Sequence, residues 1–459
     1  MLGIEDTSDA VSQPRNSKAG PWAWPIILAS VLFIGWLINV IPTEALDSDD
    51  LQGPIPSASA DLAVLQMQSQ AIIASASIDR ASAAEALKTL KEQSRGFKSQ
   101  AAIVLLEDFI DAPISDPVAS LEAIKEDKNA PEWLEQIERS LSEGITTEER
   151  AVLRSELGWF AELAAEPGRV APEKSDEIKA RSAEVIVLIM LCLIGAALVI
   201  LAGGLFLYML LRNQRITGKA LRFNNKVMPR GIMLEAFALY LGMVSLGEAA
   251  AIVIHGSFSL AGYGLSMVVP LVWPRMRGYR WRPFLQSLGW HRGEGVFKEI
   301  GFGIIGYSGV LAIASIGICL TWVISLFVGV FAGGGPESTF ETTSPQPHPV
   351  LGWMFRGGWV EKLFCLLLAA VLAPLLEETL FRGALHRYLR GRLGFFLSAL
   401  ITGVIFAGLH PQGWLAIPAL GSIGIGFSLL REWRDSLIAP TVAHAINNGL
   451  LITVVWLAL

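Results

Sequence analysis

The 459 residues are 52% hydrophobic and only 17% charged, with a mean hydropathy of +0.49. Soluble domains carry nearer a quarter charged residues, so an ordinary water-soluble globule is excluded and a polytopic membrane protein is expected. The net charge of −6 conceals a division: residues 44–184 hold 28 acidic and 14 basic side chains, and the remainder 14 acidic and 22 basic. One block is acidic and water-facing, the other apolar with basic loops, and no nucleic-acid partner is expected.

About 20 apolar residues cross a bilayer. Stretches of this kind fall at 22–42, 184–211, 231–254, 257–274, 299–332, 361–384, 394–410, 414–430 and 436–457, nine predicted spans. The first ends in "INVIPTEAL" without a small-x-small processing site, so it reads as an uncleaved anchor rather than a signal peptide. The block 44–183 is rich in Ala, Glu, Leu, Lys and Ser, with apolar residues at helical spacing. Four to six short helices are expected there, with "TTEE" at 146–149 as a capping signal and Pro113, Pro131 and Pro167 as punctuation. No strict repeat is visible. The run 299–332 is long enough to tilt, or to break at Gly301, Gly303 and Gly306. Cys192, Cys319 and Cys365 each lie in an apolar run and are expected as buried small hydrophobes, not as disulfides.

Lysine and arginine in short loops set orientation. The stretch 212–230 carries Arg212, Arg215, Lys219, Arg222, Lys226 and Arg230; 275–282 carries Arg275, Arg277, Arg280 and Arg282; 382–392 carries Arg382, Arg387, Arg390 and Arg392. The stretch 333–350 has none. Every second loop is basic, which puts the N-terminus in the cytoplasm and block 44–183 outside it. Trp22, Trp24, Trp281, Trp353, Trp359 and Trp414 lie near span ends, as interfacial anchors do.

The chemistry concentrates in the last 83 residues. In "LLEETLFRGALHRYLRGRLG", Glu378 and Arg382 are four apart and can pair across one helical turn. Glu377 points about 100° away and has no such partner in its own helix. The blander reading is that both glutamates mark a helix's exit into water. The next span ends "TGVIFAGLHPQGW", placing His410 on an apolar helix just before Pro411. If the turn at 391–394 closes an antiparallel hairpin, Glu377 and His410 sit at similar depth, roughly 21–24 Å from its tip at 1.5 Å per residue. In the last span His444 and Asn448 share a face, and the bland reading is interhelical packing glue. Together a carboxylate, two histidines and an asparagine can deprotonate a water and stabilise an oxyanion. A metal-assisted variant with Glu377, His410 and His444 as ligands also deserves weight, although there is no HExxH and asparagine is a poor zinc ligand.

In order and spacing, "EETLFR", Phe406–His410 as FxxxH, and His444–Asn448 as HxxxN resemble the CPBP family, the type II CAAX prenyl endopeptidase-like intramembrane glutamic proteases. The resemblance covers roughly 280–459, starting with "SLGWHRGEGVFKEIGFGIIG". It implies that Glu377 activates the attacking water, that His410 helps to hold it, and that His444 and Asn448 stabilise the oxyanion. Glu378 and Arg382 would support the site and Phe406 would pack beside it, with no cofactor. It also allows a place in bacteriocin self-immunity.

The expected fold is therefore all-α: a polytopic membrane helical bundle of about nine transmembrane helices, with a soluble helical domain inserted after the first span. Its parts are a tail and anchor (1–43), an acidic extracytoplasmic domain (44–183), accessory transmembrane helices (184–279) and a protease-like domain (280–459). The expected partners are membrane lipid, a membrane-associated or lipidated protein substrate, and a protein held by 44–183. The expected location is a bacterial inner membrane. A non-catalytic scaffold or receptor is the competing class. A transporter fits less well, since no inverted repeat is visible.

Overall fold

A computed structural model describes residues 18–40, 57–76, 79–94, 96–110, 116–127, 130–167, 172–218, 221, 230–255, 257–331, 359–410 and 412–458. Loop 333–350, Pro113, Lys219, Arg222, Lys226, Trp353 and Pro411 lie outside the described residues. Every regular element among those described is helical. The chain divides into two compact units, one formed by Pro54–Ala196 with Ala458–Leu459, the other by Met1–Gly53 with Ala197–Leu457.

The first of these units contains α2 (Ser57–Ala76), α3 (Arg80–Gln93), α4 (Phe97–Ile110), α5 (Pro117–Lys125), α6 (Leu134–Ser142) and α7 (Thr147–Leu157), which runs into a 3₁₀ turn at Gly158–Leu163. Six short helices are the upper end of the expected number. Their starts follow local chemistry: Asp79 accepts from the Ala81 amide, and Asp116 caps α5 just before Pro117. Leu87, Ile103, Leu106, Ile137, Leu153 and Phe160 are buried in the shared core. Each such side chain contributes about 1.5–3 kcal/mol by leaving water. Buried Arg150 closes the end of the unit by donating to the carbonyls of Ala161 (2.7 Å) and Ala164 (2.9 Å).

At α7 the expected capping signal is a complete box. The Glu149 amide donates to the Thr146 hydroxyl at 3.3 Å, and the Glu149 carboxylate accepts from the Thr146 amide at 2.9 Å. These bonds from Thr146 hold the Glu149 carboxyl below its ordinary value of 4.5. The box therefore stabilises α7 fully above that value and loses its effect as pH falls through the lower folded value. Thr146→Ala should cost about 1 kcal/mol. Amide exchange across 147–157 in the full-length protein should then rise roughly fivefold at neutral pH, with a smaller ratio in acid.

The 46-residue helix α8 (Pro172–Thr217) follows. The second unit contains α1 (Ala23–Val40), α9 (Arg230–Val253), α10 (Ser257–Met276), α11 (Trp281–Leu288) and α12 (Val296–Phe331). A continuous helix over 359–390, α13, comes next, then α14 (Phe395–Gly408), α15 (Ile417–Arg434) and α16 (Ile438–Ala458). Each predicted span contains a helix. Among the described residues, five helices are long and apolar enough to cross a membrane: Asp176–Thr217, Gly231–Val253, Val296–Val328, Lys362–Arg390 and Trp414–Arg434. Ala23–Leu37 and Phe395–Gly408 are shorter apolar helices. Phe297, Leu201 and Ile316 face outward on α12 and α8 at 89%, 71% and 70% exposure. Apolar surface on this scale needs a lipid environment, and the chain is an integral membrane protein.

Three expectations change. The helix α12 runs unbroken through Gly301, Gly303 and Gly306. A Cβ at Gly303 would lie 2.7 Å from the Ala439 carbonyl oxygen, and one at Gly306 2.4 Å from Leu430, so Gly303 and Gly306 serve close helix approach rather than a kink, while Gly301 faces open space. Cys365 is buried, but Cys192 and Cys319 are exposed on the helix surface; where the surroundings are lipid, an apolar position can point outward. Finally, residues 382–390 are not a basic loop but the end of α13. Arg382 and Arg387 are buried, and Arg390 pairs with Glu432 at 2.6 Å. The charges of Arg382 and Arg390 answer carboxylates of the bundle, so the expected orientation rests on the exposed arginines at 212–215 and 275–282 and on Arg392.

Candidate active site

The carboxylate-bearing helix α13 is not a regular α-helix. It alternates α stretches at Trp359–Leu367, Ala373–Glu377 and Arg387–Arg390 with π stretches at Leu368–Leu372 and Glu378–His386. Wide π turns are uncommon and favour functional sites. Pro374 accounts for the first: it lacks an N–H, and its ring collides with the carbonyl four residues back in a regular helix. The second begins at Glu378, so the two adjacent glutamates lie at the boundary between helix types.

Glu378 is fully sealed. Its Oε1 accepts from Arg382 Nη1 at 2.8 Å and lies 2.9 Å from His444 Nδ1. The Arg382 guanidinium, also 0% exposed, donates from Nη2 to the Gly424 carbonyl at 2.9 Å. Its carbon sits 4.7 Å from the Phe406 ring centre and 5.2 Å from that of Phe427. Two aromatic faces thus take the place of water around the cation. Residue 424 must be small: a Cβ there would lie 2.9 Å from the Gly403 Cα and 3.3 Å from the guanidinium.

Glu377 is different. Its side chain keeps 22% exposure, and Oε2 lies 3.7 Å from His444 Nε2, too long for a hydrogen bond. That oxygen is itself buried with no hydrogen-bond partner among protein groups. The His444 ring stacks on Phe427 (4.7 Å, 22°) and meets Phe406 edge-on (5.9 Å). One of its nitrogens therefore addresses the sealed carboxylate and the other the open one.

His410 lies just past the end of α14, in a bend rather than on the helix, because a residue preceding proline is pushed out of the α region. Its Nδ1 is 2.7 Å from the Phe406 carbonyl. A carbonyl only accepts, so the ring proton is assigned to Nδ1, leaving Nε2 as a lone-pair acceptor. His410 lies against Phe406 with the rings tilted by 53° (4.4 Å between centres) and is in electrostatic range of both Glu377 and His444. The structure thus gathers Glu377, Glu378, Arg382, Phe406, His410 and His444. Asn448 stands one turn along α16, where its Nδ2 donates to the Ala369 carbonyl at 3.0 Å.

Residues 359–450 match the family model described as "Type II CAAX prenyl endopeptidase Rce1-like". This segment is an Rce1-like domain. The match covers residues 359–450 of the expected 280–459. Even so, the strip at 288–291 is bound to it: Leu437 N–H donates to the Gly289 carbonyl at 3.0 Å, and Ser436 Oγ to that of His291 at 3.0 Å. Among curated proteins, the chain is 30% identical over 89 residues to the "Membrane-embedded CAAX protease MroQ" of Staphylococcus aureus (strain USA300). It is 37% identical over 133 residues to an "Uncharacterized 24.3 kDa protein" of Escherichia coli. The first alignment covers 18% of this chain and 36% of the relative, the second 28% and 58%. The chain thus spans less than two thirds of each relative's length. No solved structure matches.

Among the described residues, no group of three His, Cys, Asp or Glu side chains has the arrangement of a metal site. Sequence reasoning missed Phe427 and Gly424 in the Rce1-like domain. Their signal was the small-residue run "GSIGIGF", which marks close helix packing but says nothing of what is packed. It also missed the electrostatic coupling of Tyr240 on α9 and Tyr263 on α10 to Glu377, for which the sequence carries no local sign.

Proposed function

We propose that the protein is an intramembrane endopeptidase that hydrolyses a peptide bond of a membrane-associated protein, with Glu377 activating the water. The observation that carries this reading is the contrast between adjacent carboxylates: each has a buried Oε2 without a hydrogen-bond partner among protein groups, but Glu378 is 0% exposed and held through Oε1 by Arg382 and His444, whereas Glu377 keeps 22% exposure and faces an imidazole. A structural ion pair needs only the first of these; general-base chemistry needs the second.

In this mechanism Glu377 takes a proton from water held against His410 Nε2 as the water oxygen attacks the substrate carbonyl carbon. The carbonyl π electrons move onto its oxygen. Ionised Glu377, Glu378 and Arg382 together leave one negative charge. A second proton on His444 completes the balance and makes Nε2 a donor to the oxyanion. Collapse of the intermediate breaks the C–N bond as Glu377 passes its proton to the leaving nitrogen. The family pattern pairs Asn448 with His444 as an oxyanion donor. No cofactor enters this scheme. The substrate class suggested by the relative's name is a CAAX-type, membrane-associated protein. Exposed arginines at 212–215 and 275–282 support a cytoplasmic N-terminus in a bacterial inner membrane. The acidic six-helix unit would then lie outside and hold a partner.

The test is a peptide-level comparison of membranes from wild-type and Glu377→Gln cells. One precursor should accumulate, and its cut form should vanish, in the variant. Identical peptide profiles in cells where both proteins insert would count against the proposal. With that precursor in hand, cleavage should survive exhaustive chelation. Its loss, with stoichiometric metal in the purified protein, would move Glu377, His410 and His444 to ligand roles.

A further inference from the structure

The first π stretch of α13 is held by a register in which each amide reaches five residues back: the Ala373 N–H donates to the Leu368 carbonyl. The next donor in that register is residue 374 and the next acceptor is the Ala369 carbonyl. Residue 374 is proline and has no N–H. The Ala369 carbonyl instead receives Asn448 Nδ2 from α16, at 3.0 Å. The amide is oriented from behind. Asn447 Nδ2 lies 3.2 Å from Asn448 Oδ1, and Tyr307 Oη on α12 lies 3.3 Å from Asn447 Oδ1. With Oδ1 occupied as an acceptor, the Asn448 NH₂ must face α13.

We propose that Asn448 supplies the backbone donor that Pro374 lacks, aimed by the relay Tyr307–Asn447–Asn448, and so positions the turn that carries Glu377. This makes Asn448 a positioning residue through one amide hydrogen and leaves the other for the oxyanion. The reason for such a device is the medium. An unsatisfied carbonyl in a membrane span has no water to turn to, and neighbouring side chains must satisfy what a proline frees. Glu377 is three residues past Pro374, so slack in this turn moves the carboxylate directly. Only the activity arm of the test rests on the endopeptidase reading; the backbone arm stands without it.

The test is a double-mutant cycle in the full-length protein, read by amide exchange over 373–380 in detergent and by cleavage rate. Asn448→Ala alone should speed exchange on the order of tenfold, the effect of one lost buried hydrogen bond, and lower the cleavage rate with it. Pro374→Ala restores the backbone N–H. In that background Asn448→Ala should change exchange by less than about twofold, and its cost to cleavage should shrink. A role at the oxyanion alone would give a different pattern: a rate loss of about 10²–10³ that ignores residue 374, with exchange unmoved. Equal effects of Asn448→Ala in both backgrounds overturn the proposal. Should Pro374→Ala fail to insert, Tyr307→Phe and Asn447→Ala leave Pro374 and Asn448 in place and remove only the aiming. Both should accelerate exchange across 373–380, and unchanged exchange there is equally fatal. Full activity of Glu377→Gln alongside a coupled exchange cycle would defeat the protease reading and leave this one intact.

Discussion

Glu377→Gln is expected to lower peptide-bond cleavage by at least about 10²–10⁴-fold, the range supplied by a positioned general base, with insertion and thermal stability unchanged. The amide keeps the volume of the carboxylate and removes only its capacity to take a proton. Because the Glu377 side chain is 22% exposed and its Oε2 has no hydrogen-bond partner among protein groups, no buried bond is lost with it. The pH profile should change as well. The variant's residual rate should lose whatever dependence the wild type shows on ionisation of a carboxyl base, which separates loss of a base from loss of packing. The measurement is single-turnover cleavage of the accumulating precursor in proteoliposomes. A variant retaining more than a tenth of the wild-type rate would remove Glu377 from the role of base.

Substituting the neighbouring arginine should act in the other direction, on stability first. Arg382→Met deletes the cation and leaves Glu378, at 0% exposure, without its 2.8 Å partner. Breaking a buried pair from one side typically costs about 3–5 kcal/mol, because the remaining charge stays desolvated. Loss of the bond to the Gly424 carbonyl and of the stacking against Phe406 and Phe427 adds to this. Arg382→Met should therefore insert poorly or unfold well below the wild type in a detergent melt. The double variant Arg382→Met/Glu378→Gln should recover much of that stability, since replacing both charges removes the unpaired one. A double variant no more stable than Arg382→Met would show that the arginine acts through packing and the Gly424 bond instead. Glu378→Gln alone should reduce activity less than Glu377→Gln, because the oxygen of the introduced amide can still accept from the arginine.

The legible part of the molecule was the part governed by local rules. Apolar runs of bilayer length marked where helices lie, and "TTEE" marked a helix start that the structure builds as a full box. The i, i+4 spacing of Glu378 and Arg382 announced their pair even though the intervening turn is π rather than α. Where the reading failed, it failed on neighbours from elsewhere in the chain. Arg390 looked like a loop charge because its partner on α15, Glu432, is 42 residues away. Gly303 and Gly306 of α12 looked like weak points because nothing in their own stretch shows Val442 and Leu430 pressing against them.

The sequence by itself determined an all-helical membrane chain, the family pattern of its last span groups, and which side chains could do chemistry. Only the tertiary structure decided which of two adjacent carboxylates is sealed and which is open. It also decided that His444 bridges them and that Asn448 turns to a backbone carbonyl freed by Pro374. The physical reason is range. Periodicity, capping and proline geometry act within a few residues, whereas the partner of a buried polar group is set by helix register and crossing, which neighbouring residues do not encode.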